Sequence, residues 1–142
     1  MAAVLADTGA LVALLDRSNS WHDWAVDVFR LLRPPVLTCE AVLAEALHLL
    51  GRSRPSGRAL AELCNRQIIR VVFDFEAEAE AVWRLLDKYD DVPMDFADAC
   101  LVRMAEIHAA SSVRTVDSDF AVYRRNGRQA ISLIFPTELR RR

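Results

Sequence analysis

The stretch Val4-Leu5-Ala6-Asp7-Thr8-Gly9-Ala10-Leu11-Val12-Ala13-Leu14-Leu15 holds the pattern from which the fold can be read. A short apolar run stops at an acid, and helix-forming residues follow. Strands buried on both faces of a parallel sheet read as continuous apolar runs, and a helix usually carries the chain back across the sheet. Residues 4–7 are therefore expected as a strand and 10–15 as a turn of helix.

The same alternation continues outward from this unit. Ser18, Asn19 and Ser20 are cap formers ahead of a helix over 21–32, which Pro34 and Pro35 stop. Residues 36–38 read as a second strand and 40–50 as a helix with Gly51 in the terminating position. A polar loop with Pro55 is expected over 52–57, then a helix over 58–65 and a third strand over 68–73. An acidic amphipathic helix follows over 76–88, a loop over 90–93 and a helix over 95–109. Strands at 113–116 and 131–134, with a short helix at 120–123 between them, complete the series. Alternating strands and helices predict βαβ units and a mainly parallel sheet of about five strands, an α/β fold. No linker-like stretch interrupts the 142 residues, so residues 1–142 are read as one domain.

Composition narrows the function. Hydrophobic residues make up 53% of the chain, enough for a sizeable core. No apolar run approaches the roughly 18 residues of a membrane-spanning helix. The apolar head of the chain lacks a basic n-region and meets Asp7 early, so it reads as structure rather than a signal peptide, and a cytoplasmic protein is expected. Cys39, Cys64 and Cys100 are widely spaced in apolar surroundings, with no CxxC, and predict buried thiols rather than zinc ligands or disulfides. His22, His48 and His108 are isolated and read as structural or surface residues. The net charge of −2 conceals seventeen arginines against one lysine, Lys88. A coding bias accounts for the total, which leaves single arginines free to meet phosphate.

Most acids sit in polar stretches, where solvation accounts for them. Four do not. Asp7 ends an apolar strand. Glu45 is the only formal charge in residues 41–50 and shares a helical stripe with Val42 and Leu49. Asp98 lies inside Phe96-Ala97-Asp98-Ala99-Cys100-Leu101-Val102, and Asp117 follows Val113-Arg114-Thr115-Val116. A carboxylate among core residues must find a cation or shift its pKa. Arg103 or Arg114 is available as a partner for some of them. In open parallel sheets, however, ligands bind beyond the carboxyl ends of the strands. Asp7 and Asp117 are predicted there, with Asp98 in the first turn of one adjoining helix and Glu45 one turn into another. Convergence of all four would suit a hard divalent cation such as Mg²⁺ or Mn²⁺. Such a cation supports phosphodiester hydrolysis by activating water and neutralising charge that develops on phosphate.

These segments resemble the motifs of PIN-domain nucleases. Ala6-Asp7-Thr8-Gly9-Ala10-Leu11 is similar to the first, Ala41-Val42-Leu43-Ala44-Glu45 to the second, Asp98-Ala99 to the third, and Thr115-Val116-Asp117-Ser118-Asp119-Phe120 to the fourth. Their order and spacing match over nearly the whole chain. The resemblance implies a three-layer α/β/α sandwich and cleavage of RNA with Mg²⁺ or Mn²⁺. It implies that Asp7 and Asp98 bind metal directly, that Asp117 assists, and that Glu45 holds a metal-bound water or a second ion. Thr8 and Thr115 would orient these ligands. The short form is similar to VapC-type toxins of type II toxin–antitoxin systems, which implies a homodimer and a cognate antitoxin that blocks the acidic cleft.

Other residues keep two readings. Asp95 is a helix N-cap or a member of the site, and Asp119 supports the fourth motif or caps the next helix. Glu40 reads as a first-turn acid favoured by the helix dipole. Arg52, Arg54 and Arg58, or Arg124, Arg125 and Arg128, guide RNA or remain solvated surface. Residues 140–142 read as a tail. Trp21, Trp24 and Phe29 pack a core or a dimer face. Beside the toxin stand a PIN-type nuclease of RNA processing or of DNA, and a non-catalytic module on the same fold.

Overall fold

The structure, a computed structural model, describes residues 3–51 and 54–136, and of residues 54, 118 and 119 the backbone alone. Strands β1 (Ala3–Ala6), β2 (Val36–Thr38), β3 (Ile69–Val71), β4 (Ser111–Arg114) and β7 (Leu133–Ile134) form one sheet in the order β3-β2-β1-β4-β7. Every pairing in it is parallel. Helices α1 (Thr8–Leu15) and α2 (His22–Arg30) connect β1 to β2, and α3 (Glu40–Leu49) and α4 (Arg54–Asn65) connect β2 to β3. Helices α5 (Phe75–Lys88) and α6 (Phe96–Ile107) return the chain to β4. Right-handed crossovers put the outgoing helices on one face and the returning pair on the other. The result is the three-layer α/β/α arrangement.

Local chemistry explains the elements. β1 lies between β2 and β4, so Leu5 and Ala6 are buried. Asp7 caps α1 by accepting the Ala10 N–H at 2.9 Å. Gly51, at φ +66°, takes the left-handed position after α3. Asp74 caps α5, and Asp95 opens α6 in a reciprocal capping box with Asp98. A single apolar cluster, including Leu5, Val42, Val82, Leu101, Val113 and Phe120, joins the sheet to both helix layers. Among the described residues no helix is long and apolar enough to cross a membrane.

Boundaries differ from the sequence expectations where turn chemistry was misjudged. α4 begins at Arg54 rather than at 58. Pro55 falls in its first turn, where a missing N–H leaves no hydrogen bond unmade. α2 starts after Trp21, and Asn19 accepts the Trp21 N–H instead of capping at 20. β3 covers only residues 69–71 because it is a sheet edge, paired on one side by β2. β4 lies at 111–114, not 113–116, because its register sets Ser111 opposite Ala3 and Arg114 opposite Ala6. The expected helix at 120–123 is a 3-10 turn at Ser118–Ala121. The expected strand at 131–134 shortens to its last two residues. One hairpin was not anticipated: β5 (Arg124–Arg125) pairs antiparallel with β6 (Gln129–Ala130). Asn126 and Gly127, both at positive φ, form its turn. The tail at 140–142 lies outside the described residues.

Candidate active site

Chain order places the site at one edge of the sheet. β1 connects to β2 on one side and pairs with β4 on the other, so the sheet changes direction of growth beside β1. That switch point opens a crevice at the carboxyl ends of β1 and β4. A cavity of about 250 Å³ lies there, lined by Asp7, Glu45, Asp95, Asp98 and Asp117 together with Thr8, Gly9, Leu49 and Pro93.

Asp7 follows β1 directly and is 4% exposed. One carboxylate oxygen accepts the Ala10 N–H and the other accepts the Thr115 hydroxyl. Thr115 itself follows β4, and its Oγ1 also accepts the Asp117 N–H at 2.8 Å. One buried hydroxyl therefore connects the acid after β1 to the acid after β4. Burial pushes the Asp7 carboxyl up to about 7, against the lowering effect of its two donors, and Asp117 and Glu45 add repulsion.

Asp98 enters on the first turn of α6. Its Oδ2 accepts the Asp95 N–H at 3.1 Å, while Asp95 Oδ1 accepts the Asp98 N–H at 2.8 Å. Burial and the charges of Asp95 and Asp117 raise Asp98 to about 7. Glu45, one turn into α3, is raised first by burial and then by Asp95, with a hydrogen bond from Thr8 opposing. Asp95 thus fills both roles left open for it: it caps α6 and lines the cleft. The side chain of Asp119 lies outside the described residues.

The four acids singled out in the sequence do converge in one cleft, and no basic side chain lines it among the described residues. Arg103 pairs with Glu78 and Glu106 instead, and Arg114 turns to the Ser112 hydroxyl. His22 reaches the Ala13 carbonyl, and no histidine lines the cleft. Cys39 and Cys100 are buried free thiols and Cys64 is half-buried.

The oxygen-only donor set suits Mg²⁺ or Mn²⁺ in character. It is not a closed ligand cage. Among the described residues no group of three or more Asp, Glu, His or Cys stands ready to hold a metal ion. Both Asp7 oxygens and one Asp98 oxygen already accept protein hydrogen bonds. Asp7 and Asp98, with pKa values near 7, keep a share of protons at neutral pH, which lets mutually repelling acids share the cleft.

Sequence reasoning missed the hydroxyl of Tyr123, which lies 3.4 Å from Asp98 Oδ2. It also missed the fit of Gly9, where a Cβ would stand 2.6 Å from Val116 Cγ2. Neither carries a local sequence signal, since both depend on segments distant along the chain. The hairpin arginines are engaged structurally: Arg124 donates to the carbonyls of Ala121 and Tyr123, and Arg125 to that of Ala109.

Comparison with known proteins gives two findings. A family profile described as the PIN domain matches residues 4–126. The crystal structure of Mycobacterium tuberculosis VapC20, described as a sarcin–ricin loop cleaving toxin, superposes with a TM-score of 0.76 at 23% identity, covering 84% of this chain and 94% of that one. At that identity the likeness speaks for the fold. No curated protein matches the chain.

Proposed function

This chain belongs to the PIN domain family, and from that premise we propose that it is a divalent-metal-dependent endoribonuclease, the toxin of a type II toxin–antitoxin pair. The observation that carries the reading is the gathering of Asp7, Glu45, Asp95, Asp98 and Asp117 in one cleft with no basic side chain among its described lining residues. Facing RNA, such a cleft repels its substrate unless a cation is bound.

Asp7, Asp98 and Asp117 would hold Mg²⁺ or Mn²⁺, and Glu45 would hold a bound water or a second ion. A bound cation would activate water and neutralise charge on the phosphate under attack. The protein's own contribution is orientation. Thr115 fixes Asp7, the capping box fixes Asp98, and Thr8 supports Glu45. The family and the VapC20 fold support the toxin assignment, with RNA as substrate and an antitoxin as partner; the proposal takes a homodimer as the working form. Action in the cytoplasm, as one domain, follows from that assignment.

The substrate described for VapC20 makes structured RNA the first to try. Purified protein should cut it with Mg²⁺, and EDTA or Asp7→Asn should abolish cutting. Cleavage that survives both would remove the metal mechanism. Growth arrest on expression, relieved by co-expressing a small neighbouring gene, tests the toxin assignment separately.

A further inference from the structure

We propose that Tyr123 is a positioning residue of this cleft: its hydroxyl fixes which oxygen of Asp98 is presented to a bound divalent cation. The proposal rests on the metal-dependent reading above and adds to it a residue that no motif contains.

The Tyr123 ring is 0% exposed and packs edge-on against Phe120 at 5.1 Å and Tyr89 at 5.4 Å between centroids. A ring held on two sides leaves its hydroxyl little freedom. That hydroxyl stands 3.1 Å from the Pro93 carbonyl oxygen and 3.4 Å from Asp98 Oδ2. Pro93 and Asp98 are both walls of the acid cleft. Tyr123 therefore ties the turn before α6 to the first turn of α6 from beneath.

The arrangement distinguishes the two oxygens of Asp98. Oδ2 receives the Asp95 N–H and faces the Tyr123 hydroxyl. Among the described residues the hydrogen bonds to this carboxylate fall on Oδ2. The Pro93 carbonyl is the nearer acceptor, but a bound cation would keep Asp98 ionised, and an ionised carboxylate then accepts the stronger bond from the hydroxyl's one proton. With Oδ2 held in this way, Oδ1 is the oxygen left for a cation. The Pro93 carbonyl alone would satisfy a tyrosine whose role was only structural, so the two roles predict different outcomes.

The chain has two tyrosines, Tyr89 and Tyr123. Tyr89 packs its ring on Tyr123, but its hydroxyl accepts the Arg124 N–H at 2.9 Å, and it is the control. Mn²⁺ affinity is measured by calorimetry for wild type, Tyr123→Phe and Tyr89→Phe, with melting in EDTA alongside. Tyr123→Phe is expected to weaken Mn²⁺ about 10-fold, as loss of a partner that orients a ligand does. Tyr89→Phe is expected to leave it unchanged. In RNA cleavage Tyr123→Phe should lower kcat with KM retained. Equal Mn²⁺ affinity in Tyr123→Phe and wild type overturns the proposal, as does an equal loss in Tyr89→Phe. Wild type that binds no Mn²⁺ overturns the metal reading and this proposal with it. A second measurement needs no Tyr123 variant: in protein labelled with 3-fluorotyrosine, Mg²⁺ should shift the ¹⁹F resonance of Tyr123 and not that of Tyr89. Two unmoved resonances count against the proposal.

Discussion

Asp7 shows how one carboxyl can serve two functions that conflict. It caps α1 and also stands in the acid cleft, buried, with its pKa near 7. Its unfolded pKa is 3.8, so the native state holds the proton more tightly than the unfolded chain. Stability from this residue is therefore complete below about pH 4 and is lost as pH rises through 7. Asp7→Asn keeps an acceptor for the Ala10 N–H and removes the charge. In EDTA the variant should melt above wild type at pH 8, by roughly 3 °C for each 1 kcal/mol of relieved charge burial, and near it at pH 4. Thermal melts at the two pH values check this; a variant that melts below wild type at pH 8 contradicts it. The anomaly of Asp7 was legible in the sequence, because an acid closes an apolar run there. Its partner was not, because Thr115 is 108 residues away along the chain.

Among the elements, those defined by local chemistry were legible. The capping signal before α6, the glycine after α3 and the apolar runs of β1 and β2 all sit where the sequence placed them. The failures were also chemical: Pro55 read as a breaker inside a helix's first turn, and the Asn126-Gly127 turn went unread. β4 was misplaced because its bounds follow from pairing with β1, which no single segment encodes. The contact of α1 with the segment after β4 makes a sharper case. Alanine in a helix normally stabilises relative to glycine by about 0.5–1 kcal/mol. At Gly9 the sign should reverse, since the new Cβ would meet Val116 Cγ2 at 2.6 Å. Overpacking of this kind costs about 1–3 kcal/mol. Gly9→Ala should thus lower stability in denaturant melts and weaken Mn²⁺ binding by displacing Asp117. Adding Val116→Ala should restore much of the stability. If the double variant gains nothing, the contact is not the cause.

For the whole molecule, a cation bound in the acid cleft, as proposed, would link folding to cation supply. Binding to the native state alone stabilises by about 2.7 kcal/mol at a hundred times Kd. Protons compete for Asp7 and Asp98, both near 7, so the rise in Tm on adding Mg²⁺ should be larger at pH 8 than at pH 6. A pH-independent rise, or one equally large in Asp7→Asn, points to weak surface binding instead. At this scale the parallel sheet and the four acids were legible in the residues themselves, and the three layers in their resemblance to a family. The sequence did not show that Thr115 holds Asp7 or that Tyr123 approaches Asp98, because those bonds join segments far apart along the chain.

The bond between Thr115 and Asp7 spans 108 residues and closes the fold around β4. A ribosome adds about 5–20 residues per second, so roughly 5–20 s separate the synthesis of those two side chains. Throughout that interval the growing polypeptide carries its first acid without the hydroxyl that holds it or the fourth acid of the cleft. On the proposed reading, each nascent copy therefore has no complete cleft, and no means of cutting the message being read, until the segment after β4 has been made.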